Sequence, residues 1–226
     1  MSNEILDWRI ECDRATFEKA KLDPKFPLIV ALARAENALH FVNAAMLHAG
    51  EDDAPENSRD RLNSFFFASA IMYEAIKLIR AMARPFKGDD LFKKGLLTIL
   101  RDPVAQKIEQ DHLNPARNHA VFHFLPETFA DTINSATVDT CTFIMCRGEL
   151  KKNLHYSYAD VVTAEILVGF AADTEAFYDV LGKAMAGTRD LVTRFTNYAD
   201  HLIAQRTKDW GFKLLQGLST PPATGS

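Results

Sequence analysis

Cysteine is scarce in this chain: three among 226 residues, Cys12, Cys141 and Cys146. An odd count without paired spacing argues against a disulfide framework and for reduced thiols in a cytoplasm. Cys141 and Cys146 also lack the short spacing of a zinc knuckle. An excess of positive charge is missing too. With 26 basic and 30 acidic residues the formal net charge is −4, which argues against a broad nucleic-acid-binding surface but leaves room for a small basic cleft. Met1-Ser2-Asn3-Glu4 is polar and acidic, unlike the start of a secretory leader. No uninterrupted apolar run reaches the ~18 residues that a membrane span needs; the best stretch, Leu28 to Leu47, carries Arg34, Glu36 and His40. A cytoplasmic protein with no membrane partner is therefore expected. There is no Walker loop, dinucleotide glycine fingerprint, Gly-x-Ser-x-Gly elbow or His-Glu-x-x-His.

What is present is helical periodicity. Leu28, Leu32, Ala35, Leu39, Val42 and Met46 repeat at alternating spacings of four and three, the mark of a bundle seam beginning at Pro27. A further helix is expected from Ser58 to Arg84, apolar on more than one side and so central. Before these, Glu4 to Lys21 reads as a first helix, with Leu6, Ile10 and Phe17 on one side. Shorter helices are expected over Asp90–Leu100, Val104–His112 and Glu127–Asn134, and a long helical region over Ala159–Arg206, which Gly182 and Gly187 would divide. Thr140–Cys146 and Leu154–Tyr158 have the β-branched, apolar character of a small β-hairpin or flap. The fold class is mainly α: a helical bundle with long antiparallel helices and that minor hairpin. With no internal repeat or linker, residues 1–208 are read as one domain, and 209–226 as a largely disordered tail ending in a Pro/Thr/Gly-rich segment.

Chemistry concentrates in Asn114-Pro115-Ala116-Arg117-Asn118-His119-Ala120-Val121-Phe122-His123. Asn114-Pro115 reads as a helix cap and first turn. Arg117 would then face the positive end of the helix dipole, unfavourable unless an anion docks there. Arg117 also falls within the apolar stripe of Leu113, Ala120, Val121 and Phe124, where a cation needs a partner; Glu74 is a candidate. Arg80, Arg84 and Lys87 form a basic cluster, read either as favourable helix C-terminal charges or as a phosphate-tracking patch. Tyr156 on the flap could stack on a base. His119 and His123 have the spacing of two imidazoles on one helix face, and Glu109 with His112 matches a Glu-x-x-His pair, but no second such pair exists for a di-iron site. Glu36 and His40 are four apart, not three.

Arg117-Asn118, followed by His123 after five intervening residues, resembles the signature of the HEPN superfamily. The resemblance implies an α-helical homodimer bringing two motifs into one cleft, and a metal-independent endoribonuclease or RNA-binding relative in defence, toxin–antitoxin or RNA-processing biology. It implies His123 as general base on a ribose 2′-hydroxyl, Arg117 as stabiliser of the phosphoryl transition state and Asn118 as the residue orienting them. From the residues themselves, Arg80, Arg84, His119 and Tyr156 are the candidates to meet substrate. Such a role requires no cofactor; the partners would be RNA, a second copy and a protein antitoxin. The reading of a different class is a catalytically silent helical interaction protein, in which Arg117 pairs with a core acid and His123 packs.

Overall fold

The computed structural model describes residues 6–48, 55–121, 126–135, 144–146, 155–169 and 174–218. The chain is a mainly α helical bundle. Helix α1 spans Arg14–Ala20, α2 Phe26–His48, α3 Pro55–Met82, α4 Asp90–Lys94, α5 Leu96–Arg101 and α6 Pro103–Ile108. Helix α6 runs on into two π-helical segments, Glu109–Leu113 and Ala116–Ala120. Helices α7 (Pro126–Ser135), α8 (Ser157–Val168) and α9 (Thr174–Asp209) follow.

The seam anticipated on α2 is real. Ile29, Leu32, Leu39 and Val42 are buried, and they pack with Met72, Ile76, Ile79 and Met82 of α3 and with Leu191, Phe195 and Leu202 of α9. Fully burying such side chains stabilises by about 1.5–3 kcal/mol each. Phe65, Phe66 and Ala70 of α3 belong to a second apolar cluster, shared with Ala116, Val121, Ala164, Leu167, Leu181 and Ala184. Helix α3 serves both clusters, which is why its sequence is apolar on more than one face. By length and composition Glu56–Met82 could cross a membrane, but 56% of its most apolar window is buried within the protein.

Three sequence expectations are corrected. Residues 6–11 are a strand, β1 (Leu6–Glu11), not the start of a helix; α1 begins only at Arg14, with the Asp13 carboxylate capping Thr16 N at 2.7 Å. The reason is period: Leu-Asp-Trp-Arg-Ile-Glu alternates apolar with polar, which suits a strand. Its partner lies in the expected tail. Strand β2 (Lys213–Leu218) pairs antiparallel with β1, Leu6 opposite Leu218 and Glu11 opposite Lys213. Lastly, Gly182 and Gly187 do not divide the last helical region. Helix α9 runs through both, and the break falls instead at Gly169, whose φ of 78° ends α8 in a conformation that only glycine adopts readily. Of the expected hairpin, the described residues hold one antiparallel bridge, Met145 to His155; Ser157 and Tyr158 belong to the first turn of α8 and not to a strand, and residues 140–143 and 154 lie outside the described residues, as does the segment after Leu218.

Candidate functional site

Asn114 and Pro115 do not start a helix. Both have right-handed helical dihedrals, Asn114 at φ −64°, ψ −49° and Pro115 at φ −58°, ψ −43°, and they lie between the two π segments. A proline inside a helix removes one hydrogen bond and crowds the carbonyl four residues back. Widened i→i+5 turns on either side accommodate it. Asn114 N–H donates back to Glu109 O, and Val121 N–H to Ala116 O at 2.9 Å. This corrects the expected anion site: Arg117 is in a helix interior, not in a first turn with unmade N–H bonds.

The wide turn also sets where Arg117 goes. The buried residues here are Leu113, Ala116 and Val121, the last two five apart, as an i→i+5 turn demands. Arg117 is thereby moved to the rim of the apolar stripe, where 28% of its side chain stays exposed. Its Nε donates to Glu74 Oε1 at 2.9 Å, the counter-ion anticipated from the sequence. Burial alone would raise the Glu74 carboxyl; hydrogen bonds from Lys77 and Arg117 outweigh that and hold it below the ordinary carboxylate range.

A second ion pair of opposite polarity lies further along α3. Arg80 donates through both Nη groups to the Glu109 carboxylate, at 2.6 and 2.5 Å. Advancing along α3 from Glu74 to Arg80 means going backward along the π region from Arg117 to Glu109, so the two pairs fix antiparallel docking. Arg80 is thus committed to Glu109, though half-exposed. Arg84, just beyond α3, is exposed. Asn118 is exposed and its amide donates to the Asn114 side chain; His119 is exposed beside it. Tyr156 is half-exposed at the start of α8. His123 lies outside the described residues. The structure therefore gathers Arg117, Asn118 and His119 on one turn, ties Arg80 to the same region through Glu109, and leaves Arg84 and Tyr156 on separate elements. The Glu109–His112 pair is not arranged for metal: Glu109 accepts from Arg80, and His112 Nδ1 donates to Leu167 O at 3.0 Å.

Two clusters escaped sequence reasoning. His155 Nε2 donates to Asp160 Oδ2 at 2.8 Å, and Asn63 Nδ2 reaches the same oxygen at 3.3 Å. His155 is 4% exposed, so this dyad anchors the Met145–His155 bridge to α8 and α3, out of reach of a substrate. The second is Glu36 and His40 of α2 with Asp200 of α9. The i,i+4 pair was visible in the sequence; Asp200, distant in sequence, was not.

No family model, curated protein or solved structure matches the chain.

Proposed function

We propose that the chain is a HEPN-like, metal-independent RNA endonuclease or RNA-binding relative acting in the cytoplasm as a homodimer, with Arg117, Asn118 and His123 as its working residues. What carries this reading is the condition of Arg117. It is held at a defined point by Glu74, on a π turn, with more than a quarter of its side chain exposed beside exposed Asn118 and His119. A merely structural cation would do as well fully buried; this one is oriented and within reach of solvent. π turns inside helices occur often at functional sites.

In the proposed reaction His123 takes the proton of a ribose 2′-hydroxyl. The 2′-oxygen attacks phosphorus, the P–O5′ bond breaks, and the departing O5′ takes a proton from water, leaving a 2′,3′-cyclic phosphate and a free 5′-hydroxyl while the His123 proton passes to solvent. Arg117 stabilises charge on the phosphoryl oxygens and Asn118 orients the pair.

The test is cleavage of single-stranded RNA in excess EDTA. Wild type should cut, and Arg117→Ala and His123→Ala should each lose activity by about 100-fold or more while keeping helical content and dimer mass. Cleavage unchanged in both variants overturns the assignment. A wild type that neither cuts nor binds RNA favours the second reading, a silent helical interaction protein engaging a partner such as an antitoxin. Two observations favour that alternative: Arg117 is already neutralised by its own chain, and α2 exposes Val30 and Phe41, the latter 75% exposed.

A further inference from the structure

Glu36 and His40 occupy one face of α2, one turn apart, and Asp200 meets them from α9, which packs against α2. The donor atoms of these three side chains all lie within 4.8 Å of one another. Their exposure is graded: Glu36 is 6% exposed, whereas His40 and Asp200 open to solvent. Glu36 Oε1 is fully desolvated and accepts no hydrogen bond. His40 Nε2 stands 3.4 Å away, at ion-pair distance but with no hydrogen bond formed. A buried carboxylate oxygen whose neighbours are an imidazole and the Asp200 carboxyl, which can bond to it only through a shared proton, stands out in a well-packed bundle.

We propose that Glu36, His40 and Asp200 form a binding site for a divalent transition-metal ion of the zinc class, clipping α2 to α9. One imidazole with two carboxylates is a mixed nitrogen–oxygen donor set that suits Zn²⁺ or Mn²⁺; Mg²⁺ and Ca²⁺ prefer all-oxygen shells. Three protein ligands leave a fourth position, on the exposed His40 and Asp200 side, for water or an exogenous ligand. The ion supplies the desolvated Glu36 oxygen with the partner it lacks, and its charge separates two carboxyl groups that otherwise repel. A ligand that binds the folded chain and not the unfolded one stabilises it by mass action. The site is independent of Arg117 and of any ribonuclease activity.

Tag-free full-length protein, stripped with chelator and then dialysed, is titrated calorimetrically with ZnCl₂, and its Tm is followed with and without zinc. The expected result is one saturable ion per chain and a raised Tm. His40→Ala and Asp200→Asn, both at exposed positions, should each weaken binding by at least about tenfold, the cost of disturbing even an outer-shell partner, and lose the Tm rise. A Cys12→Ser, Cys141→Ser, Cys146→Ser triple variant should bind as wild type. Circular dichroism of the metal-free variants checks that they fold; Glu36→Gln, which keeps volume and polarity, serves if either does not. The proposal falls if no saturable binding occurs below about 1 mM, if the ligand variants bind zinc as well as wild type, or if the cysteine variant alone abolishes binding.

Discussion

The pairing of Glu74 with Arg117 could be anticipated residue by residue, because a cation placed within an apolar stripe needs a nearby carboxylate and α3 offers one at a suitable level. Glu165 could not be assessed in that way. It sits in the last turn of α8 with Oε2 buried and unbonded, and burial raises its carboxyl above the ordinary value. A raised carboxyl binds its proton more tightly in the folded state than in the unfolded one. It therefore costs nothing below the ordinary carboxylate range, and stability falls as pH rises from there through the raised value. Glu165→Gln removes that dependence. The variant should melt about 1–3 °C above wild type at pH 7 and show a flatter Tm–pH profile between pH 4 and 7; a lower Tm at pH 7 would mean that the carboxylate has a partner in solution. The Glu36–His40–Asp200 group shows the complementary limit of sequence reading: two members share a helix and announce themselves, while the third is brought in by tertiary packing alone.

At the scale of elements, what was legible was what repeats locally. The four-three spacing of α2 and the two-sided apolarity of α3 follow from sequence and reappear as Leu32, Leu39, Met72 and Ile79, all buried. What was not legible depended on neighbours. The alternation of Leu6 to Glu11 is too short to outweigh a helical reading without its partner strand, some two hundred residues away. Asn114-Pro115 has the chemistry of a helix start, yet the chain accommodates the proline by widening its turns. The glycines of α9 make the same point in testable form. A methyl at Gly182 would meet nothing within 4 Å, whereas at Gly187 it would stand 3.0 Å from Ile108 Cδ1. Gly182→Ala should stabilise by about 0.5–1 kcal/mol through the helix preference of alanine. Gly187→Ala should destabilise by about 1 kcal/mol, because the gain is overtaken by crowding of Ile108, which is packed against the core and has little room to give. Urea midpoints of the two variants should move in opposite directions; a shared sign would show that α9 and α6 are not packed as closely as this contact indicates.

For the molecule as a whole, the bundle is closed by polar ties between distant segments. Arg194 Nη1 donates to Asp102 at 2.6 Å, Arg206 pairs with Asp89, and Trp210 Nε1 donates to Asp23 at 3.0 Å while its ring meets Phe26 edge-on at 5.1 Å. These lie upstream of β2. Ending the chain after Phe212 should therefore keep the helical circular dichroism signal, while the amides of Leu6 to Glu11 lose hydrogen-exchange protection; loss of the helical signal as well would show that the strand pair holds up the core. The strand pair also bears on topology. Since Leu6 and Leu218 are directly opposite each other in the ladder, the backbone between them is all but a ring. A covalent link across the two strands asks for no movement of the native ladder, yet it closes a long loop in the denatured ensemble, so the linked form should refold from a smaller space of conformations than the unlinked one.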